Sequence, residues 1–316
     1  MSTAITEAMQ HSIDFIESWR ELGEDYAKWE RKMPEHAHPA FCEGYAAGQA
    51  KREAKNPDRF VRKWLQIRYN ALKRERVVDE KVTVDFLTEI DVPICPVTLI
   101  NLTYAEQTES DWSIDRVNND GAYAPENLIV ISTKANKAKG SKTFDEVETL
   151  ALQQSAVEGL EPKEWLRLAM LMHGACTVET PGSITIMPLV TKIPRHCVRS
   201  DWLQMQHVIH LAASKRSERR KLELWTKHIL DDDEAGARRL TLLLDTIGGL
   251  REEVSYEYDV WLVKKVQRLF VDWLRQMRPH RQLEFRLAAR KLAGGHALQE
   301  SEVDAWALPS GGYFPK

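Results

Sequence analysis

The chain has 316 residues, ordinary hydrophobic content and a formal net charge of −3, enough length for two domains with buried cores. No apolar run approaches the roughly 18 residues that a membrane span needs, and the N-terminal stretch lacks the basic and apolar regions of a secretory signal. Four cysteines (Cys42, Cys95, Cys176 and Cys197) lie far apart with no Cys-x-x-Cys pair, which argues against a disulfide framework and against a zinc ribbon. A cytoplasmic location, in a bacterial or phage-infected cell, is the expectation.

Residues 4–31 read as an acidic helix, with Ile13, Ile16, Trp19, Leu22, Tyr26 and Trp29 recurring at three- and four-residue steps. Pro34, His36, His38 and Pro39 break that pattern and read as a polar linker. The charge then changes sign. Residues 1–50 hold 4 Lys/Arg against 9 Asp/Glu, whereas residues 51–76 hold 10 against 3, a local basic patch of the kind phosphates feel. Arg59 to Arg76 fits an amphipathic helix: Val61, Trp64, Leu65 and Leu72 line one face, and Arg59, Arg62, Lys63, Lys73 and Arg76 fall largely on the other. Those five cations are candidate contacts to DNA backbone. A solvated surface helix would show the same pattern. Thr83 to Ile90 reads as a short helix and Val92 to Pro96 as a constrained connector.

Asp111 to Gly140 is the most informative segment. A short strand ending in Asp115-Arg116 meets the turn sequence Asn118-Asn119-Asp120-Gly121, which predicts a tight reversal. An apolar strand, Leu128 to Ile131, follows. A basic helix of about two turns comes next, with Ser132 as N-cap and Gly140 at its C-terminal end. A hairpin packed on such a helix brings Asp115 and Asn136 together, and a carboxylate with an amide oxygen suits Mg²⁺. Lys134, Lys137 and Lys139 surround Asn136 and are further candidates for phosphate contact.

This segment resembles the HNH, or ββα-metal, endonuclease family, especially its phage-type members. It carries the set Asp115, Arg116, Gly121, Tyr123, Asn127, Asn136 and Lys139 in family order. The resemblance covers about residues 59 to 145, including Cys95-Pro96-Val97-Thr98. It implies Asp115 and Asn136 as ligands of Mg²⁺ or Mn²⁺, Asn127 as the loop residue that ties the hairpin, and double-stranded DNA as substrate. Arg116 stands where the family's general-base histidine is expected, and arginine keeps its proton. A phosphate contact is the role that residue implies. The base is left to His173, His196 or His207 from another segment, to Asp120, or to solvent hydroxide. A surface β-hairpin with polar turns is the non-functional alternative. A nuclease-fold module that has lost cleavage and binds DNA or a protein is the functional one.

After Gly140 the pattern becomes helical. Phe144 to Val157 and Glu161 to Cys176 read as helices, Thr177 to Val198 as extended chain with a possible strand at Ile184–Met187, and Arg199 to about Ala297 as amphipathic helices with Trp and Leu stripes, the mark of bundle core. Basic runs at Lys215–Lys221 and from Arg275 to Lys291 read as solvated faces. The expected fold class is α+β, mainly α. A nuclease domain (51–145) is expected between an acidic helical region (1–50) and a helical domain (160–316) that could engage a protein partner.

Overall fold

A computed structural model describes residues 2–51, 56–176, 186–198 and 200–292. Among these the chain is mainly helical with one small antiparallel pair of strands. Contacts group it into two compact units. Among the described residues the first contains the chain up to Asp91 together with Asn119–Leu128, and the second contains Val92–Asn118 and the chain from Ile129 to Leu292. These units cut the chain at different places from 50, 145 and 160.

In the first unit, α1 (Ser2–Lys28) and α2 (Pro39–Gly48) form a helical hairpin. His38 is more than linker: its Nδ1 accepts from Ala40 N as the N-cap of α2, and its ring stacks on Trp19 at 5.4 Å. α3 (Arg59–Leu72), capped by Asp58, lays Val61, Leu65 and Leu72 against Trp19, Leu22, Tyr26 and Phe41 of the hairpin. α4 (Val84–Glu89) follows with Thr83 as its cap. Glycines let the two helices of the hairpin touch backbone to backbone. A Cβ added at Gly44 would lie 1.8 Å from the Arg20 carbonyl oxygen, and one at Gly23 would lie 2.1 Å from that of Phe41.

In the second unit, β1 (Trp112–Arg116) pairs with β2 (Leu128–Ser132), and α5 (Thr133–Lys139) follows β2 directly. The local rules hold here: Ser132 Oγ accepts from Ala135 N, and Gly140 ends the helix at φ +51°. The connection between the strands is not the tight reversal expected from Asn-Asn-Asp-Gly. It runs from Val117 to Asn127 and pairs with another segment on the way. Tyr123 donates from its N to Val77 O at 3.0 Å and accepts from Asp79 N at 2.9 Å. Backbone pairing with residues 77–79 outweighs the local turn preference.

α6 (Phe144–Ala151), shorter than expected and opened by a capping box at Thr143 and Glu146, packs on α7 (Pro162–Cys176). Residues 186–190 are extended without strand pairing, held by Gln206 at Leu189 N and Met187 O. Ile184 and Thr185 lie outside the described residues. The bundle centres on α8 (Asp201–Ser214), buried along nearly its whole length, with α9 (Arg216–Ile229), α10 (Glu234–Leu250) and α12 (Pro279–Leu292) around it. α11 (Lys264–Gln276) packs on α10 and buries Val266, Phe270, Trp273 and Leu274. A buried arginine binds the bundle to the segment before β1. Arg167 on α7 donates to Val97 O at 3.3 Å and pairs with Asp259 at 3.1 Å. No helix among the described residues is long and apolar enough to cross a membrane.

Two outcomes follow. Gly44→Ala should cost about 3 kcal/mol in urea unfolding, because the intruding methyl meets backbone rather than a movable side chain. His210 on α8 is 1 % exposed and stacks on Tyr258 at 4.2 Å. Burial holds its pKa down to about 4, against the pull of Glu257. A histidine kept neutral in the fold takes up a proton only on unfolding, so stability should fall as pH drops from about 6.5 to about 4 and then level off. The same titration of His210→Phe should be flatter in that window.

Candidate active site on the strand-helix unit

The two faces that meet between β1 and α5 follow from simple periodicities. Ser113 and Asp115 are two apart on a strand and share a face; Asn136 and Lys139 are three apart on a helix and share another. The structure joins them. Asn136 Nδ2 donates to Ser113 Oγ at 2.7 Å, and Lys139 Nζ donates to the Arg116 carbonyl at 2.8 Å. Lys139 Nζ also lies 2.9 Å from Asp115 Oδ2.

Asp115 is 8 % exposed, and its Oδ2 is buried without a hydrogen bond. The contact with Lys139 at 2.9 Å is an ion pair. Burial pushes the Asp115 carboxyl upward, and the Lys139 ammonium, followed by the Arg116 charge, pulls it back. The donors suit a hard divalent ion in type: a carboxylate oxygen lacking a hydrogen bond, and an amide anchored to the same strand. Among the described residues no group of three or more His, Cys, Asp or Glu stands at metal-holding distances. The cation that meets Asp115 in the fold is the chain's own lysine.

The other expected site residues fall as follows. Arg116 is half-buried at the end of β1. Asn127 is fully buried, and its Nδ2 donates to Ala122 O at 2.9 Å, so it ties the connection between the strands to itself. His173 and His207 are buried, and burial lowers the pKa of His173. Asp120 is exposed, and its carbonyl accepts from Arg76.

The expected phosphate contacts need correction. Lys139 is fully buried, so its ammonium does not face solvent. Lys134 pairs loosely with Glu164 at 3.8 Å, and Lys137 alone of the three α5 lysines is exposed. Along α3, Arg76 is 6 % exposed and points to Asp120 O, while Arg59 pairs with Asp91 at 2.6 Å. Lys63 is half-buried. Arg62 and Lys73 are exposed. The sequence missed a polar knot behind the site. Cys95 Sγ accepts from Ser132 N at 3.2 Å and Thr98 N at 3.5 Å, and Thr98 Oγ1 lies 3.3 Å from Ser132 Oγ. The Cys95-Pro96-Val97-Thr98 sequence was its only signal. The start of α5 is held too, by Thr133 N on Asp111 O at 2.7 Å.

Arg76 and the pair Arg62/Lys73 should behave oppositely. Arg76→Ala should lower stability by about 1–2 kcal/mol, since the buried Arg76 side chain loses its packing and its bond to the Asp120 carbonyl, whereas Arg62→Gln with Lys73→Gln should leave the unfolding midpoint unchanged. The same double variant should flatten the salt dependence of DNA binding; an unchanged slope would remove α3 from the DNA surface. Set beside known protein families, curated proteins and solved structures, the chain matches none.

Proposed function

We propose that the chain is a metal-dependent DNA endonuclease that hydrolyses phosphodiester bonds of double-stranded DNA through an HNH-like site. The observation that supports this most is the order β1–connection–β2–α5, with Asn136 hydrogen-bonded to Ser113, two residues before Asp115. In this reading Asp115 and Asn136 hold Mg²⁺ or Mn²⁺. The ion supplies charge neutralisation at the scissile phosphate. Arg116 adds a fixed positive charge there and keeps its proton at ordinary pH. The attacking water therefore loses its proton to another acceptor.

One observation favours a second reading, a nuclease-fold module that grips DNA or a protein partner without cutting: the Lys139 ammonium already stands against Asp115. In that reading residues 160–316 form the partner-binding region.

Supercoiled plasmid separates the two. The wild-type protein should nick or linearise it with Mg²⁺ or Mn²⁺ and not with EDTA, and Asp115→Asn should reduce the rate on the order of 100-fold or more. Arg116→Lys, which keeps charge but loses the planar fork, should also be impaired. Cleavage by Asp115→Asn at the wild-type rate would place the site elsewhere. Binding without cleavage under every metal condition would establish the second reading.

A further inference from the structure

Lys139 is the one fully buried cation in the strand-helix unit, and every contact of its ammonium described above is to the metal-ligand strand. It is 2.9 Å from Asp115 Oδ2 and donates at 2.8 Å to the carbonyl of Arg116. Asp115 Oδ2 is buried and has no hydrogen bond. A buried carboxylate stripped of water is costly unless a positive charge stands beside it. We propose that Lys139 is the resident counter-ion of Asp115: it sustains the buried carboxylate in the metal-free fold, and a divalent ion bound at Asp115 competes with it. The proposal deepens the metal-site reading and rests on it for the competition, whereas the stabilising role of Lys139 in the metal-free protein stands on the ion pair alone.

The physical logic is asymmetric. A second cation beside Asp115 feels the ammonium, and two positive charges about 4 Å apart repel by roughly 1 kcal/mol even in water and by more in the protein. Removing the ammonium while keeping the methylene stem takes that repulsion away and leaves the carboxylate with no cation except an added one. Lys139→Met therefore has opposite effects on the two states: it weakens the metal-free fold and favours the metal-bound one. A lysine that merely filled space would show neither.

The test uses the full chain. Chemical unfolding in EDTA is measured for wild type, Asp115→Asn, Lys139→Met and the double variant. Lys139→Met should be the least stable, and adding Asp115→Asn to it should recover stability, because the buried charge goes with its partner. Purely additive effects, or a double variant no more stable than Lys139→Met, would overturn the counter-ion role; a Lys139→Met protein that fails to fold while the double variant folds supports it. Calorimetric titration with Mn²⁺ then reads the competition. Lys139→Met, or Lys139→Gln if the former is insoluble, should bind Mn²⁺ about tenfold more tightly than wild type. Equal or weaker binding overturns the competition. An absence of Mn²⁺ binding in both proteins overturns it too and sinks the metal-site reading, while a non-additive unfolding cycle would still establish the counter-ion.

Discussion

The strand-helix unit depends on one buried ammonium. α5 is only seven residues long, too short to hold itself by propensity, so tertiary contacts must fix it on β1. Two side chains on one helical face do so. Asn136 fastens its middle to Ser113, and Lys139 fastens its end to Asp115 and the Arg116 carbonyl. The Asp115 carboxylate and the peptide of Arg116 are set by the same cation, so the two residues that carry the chemical argument share a geometry. Behind them the Cys95, Thr98 and Ser132 knot caps α5 at its start, and Asp111 O receives Thr133 N.

That knot passes its constraint outward. The carbonyl of Val97, inside Cys95-Pro96-Val97-Thr98, receives Arg167 from α7, and Arg167 is balanced by Asp259. All of these belong to one compact unit. The bundle and the strand-helix unit are therefore joined by a charged, desolvated contact, in which loss of one partner strands the other. Sequence pattern placed a boundary near residue 160 because strand signals stop at Gly140 and helix stripes begin. Periodicity reports which face of an element is apolar, and it says nothing of which distant element covers that face.

What was legible in the sequence was what local physics decides. Ser132 as cap, Gly140 as terminator and the strand ends at Arg116 and Leu128 need only neighbouring residues to act. Local turn preference at Asn118–Gly121 does not decide the connection, because its continuation is set by pairing of Tyr123 with residues 77–79, forty and more positions earlier. His38 reads as linker in the sequence because its stacking on Trp19 is likewise non-local. Lys139 shows the same limit most sharply. A lysine in a basic helix next to a ligand position reads as a phosphate contact, and only burial reveals that its charge is spent internally.

The same correction applies to charge as a predictor of nucleic-acid surface. The basic stretch 51–76 suggested a continuous cationic face, yet the fold consumes part of it: Arg59 on Asp91, Arg68 on Asp25, Arg76 on Asp120 O. Part of the run at Lys215–Lys221 is similarly engaged, with Arg219 on Asp245 and Lys221 on Glu218, while Lys215, Arg216 and Arg220 are exposed. By contrast Lys264, Lys265, Arg268 and Arg275 stand on the exposed side of α11, opposite its buried Val266, Phe270 and Trp273. Counterion release scales with cations that reach phosphate, not with cations counted along the chain. The electrostatic reach of this protein is therefore set by the cations that stay exposed, among them Arg62 and Lys73 on α3, Lys137 on α5 and those on the outer face of α11, rather than by every cation of the stretch whose composition first drew attention to it.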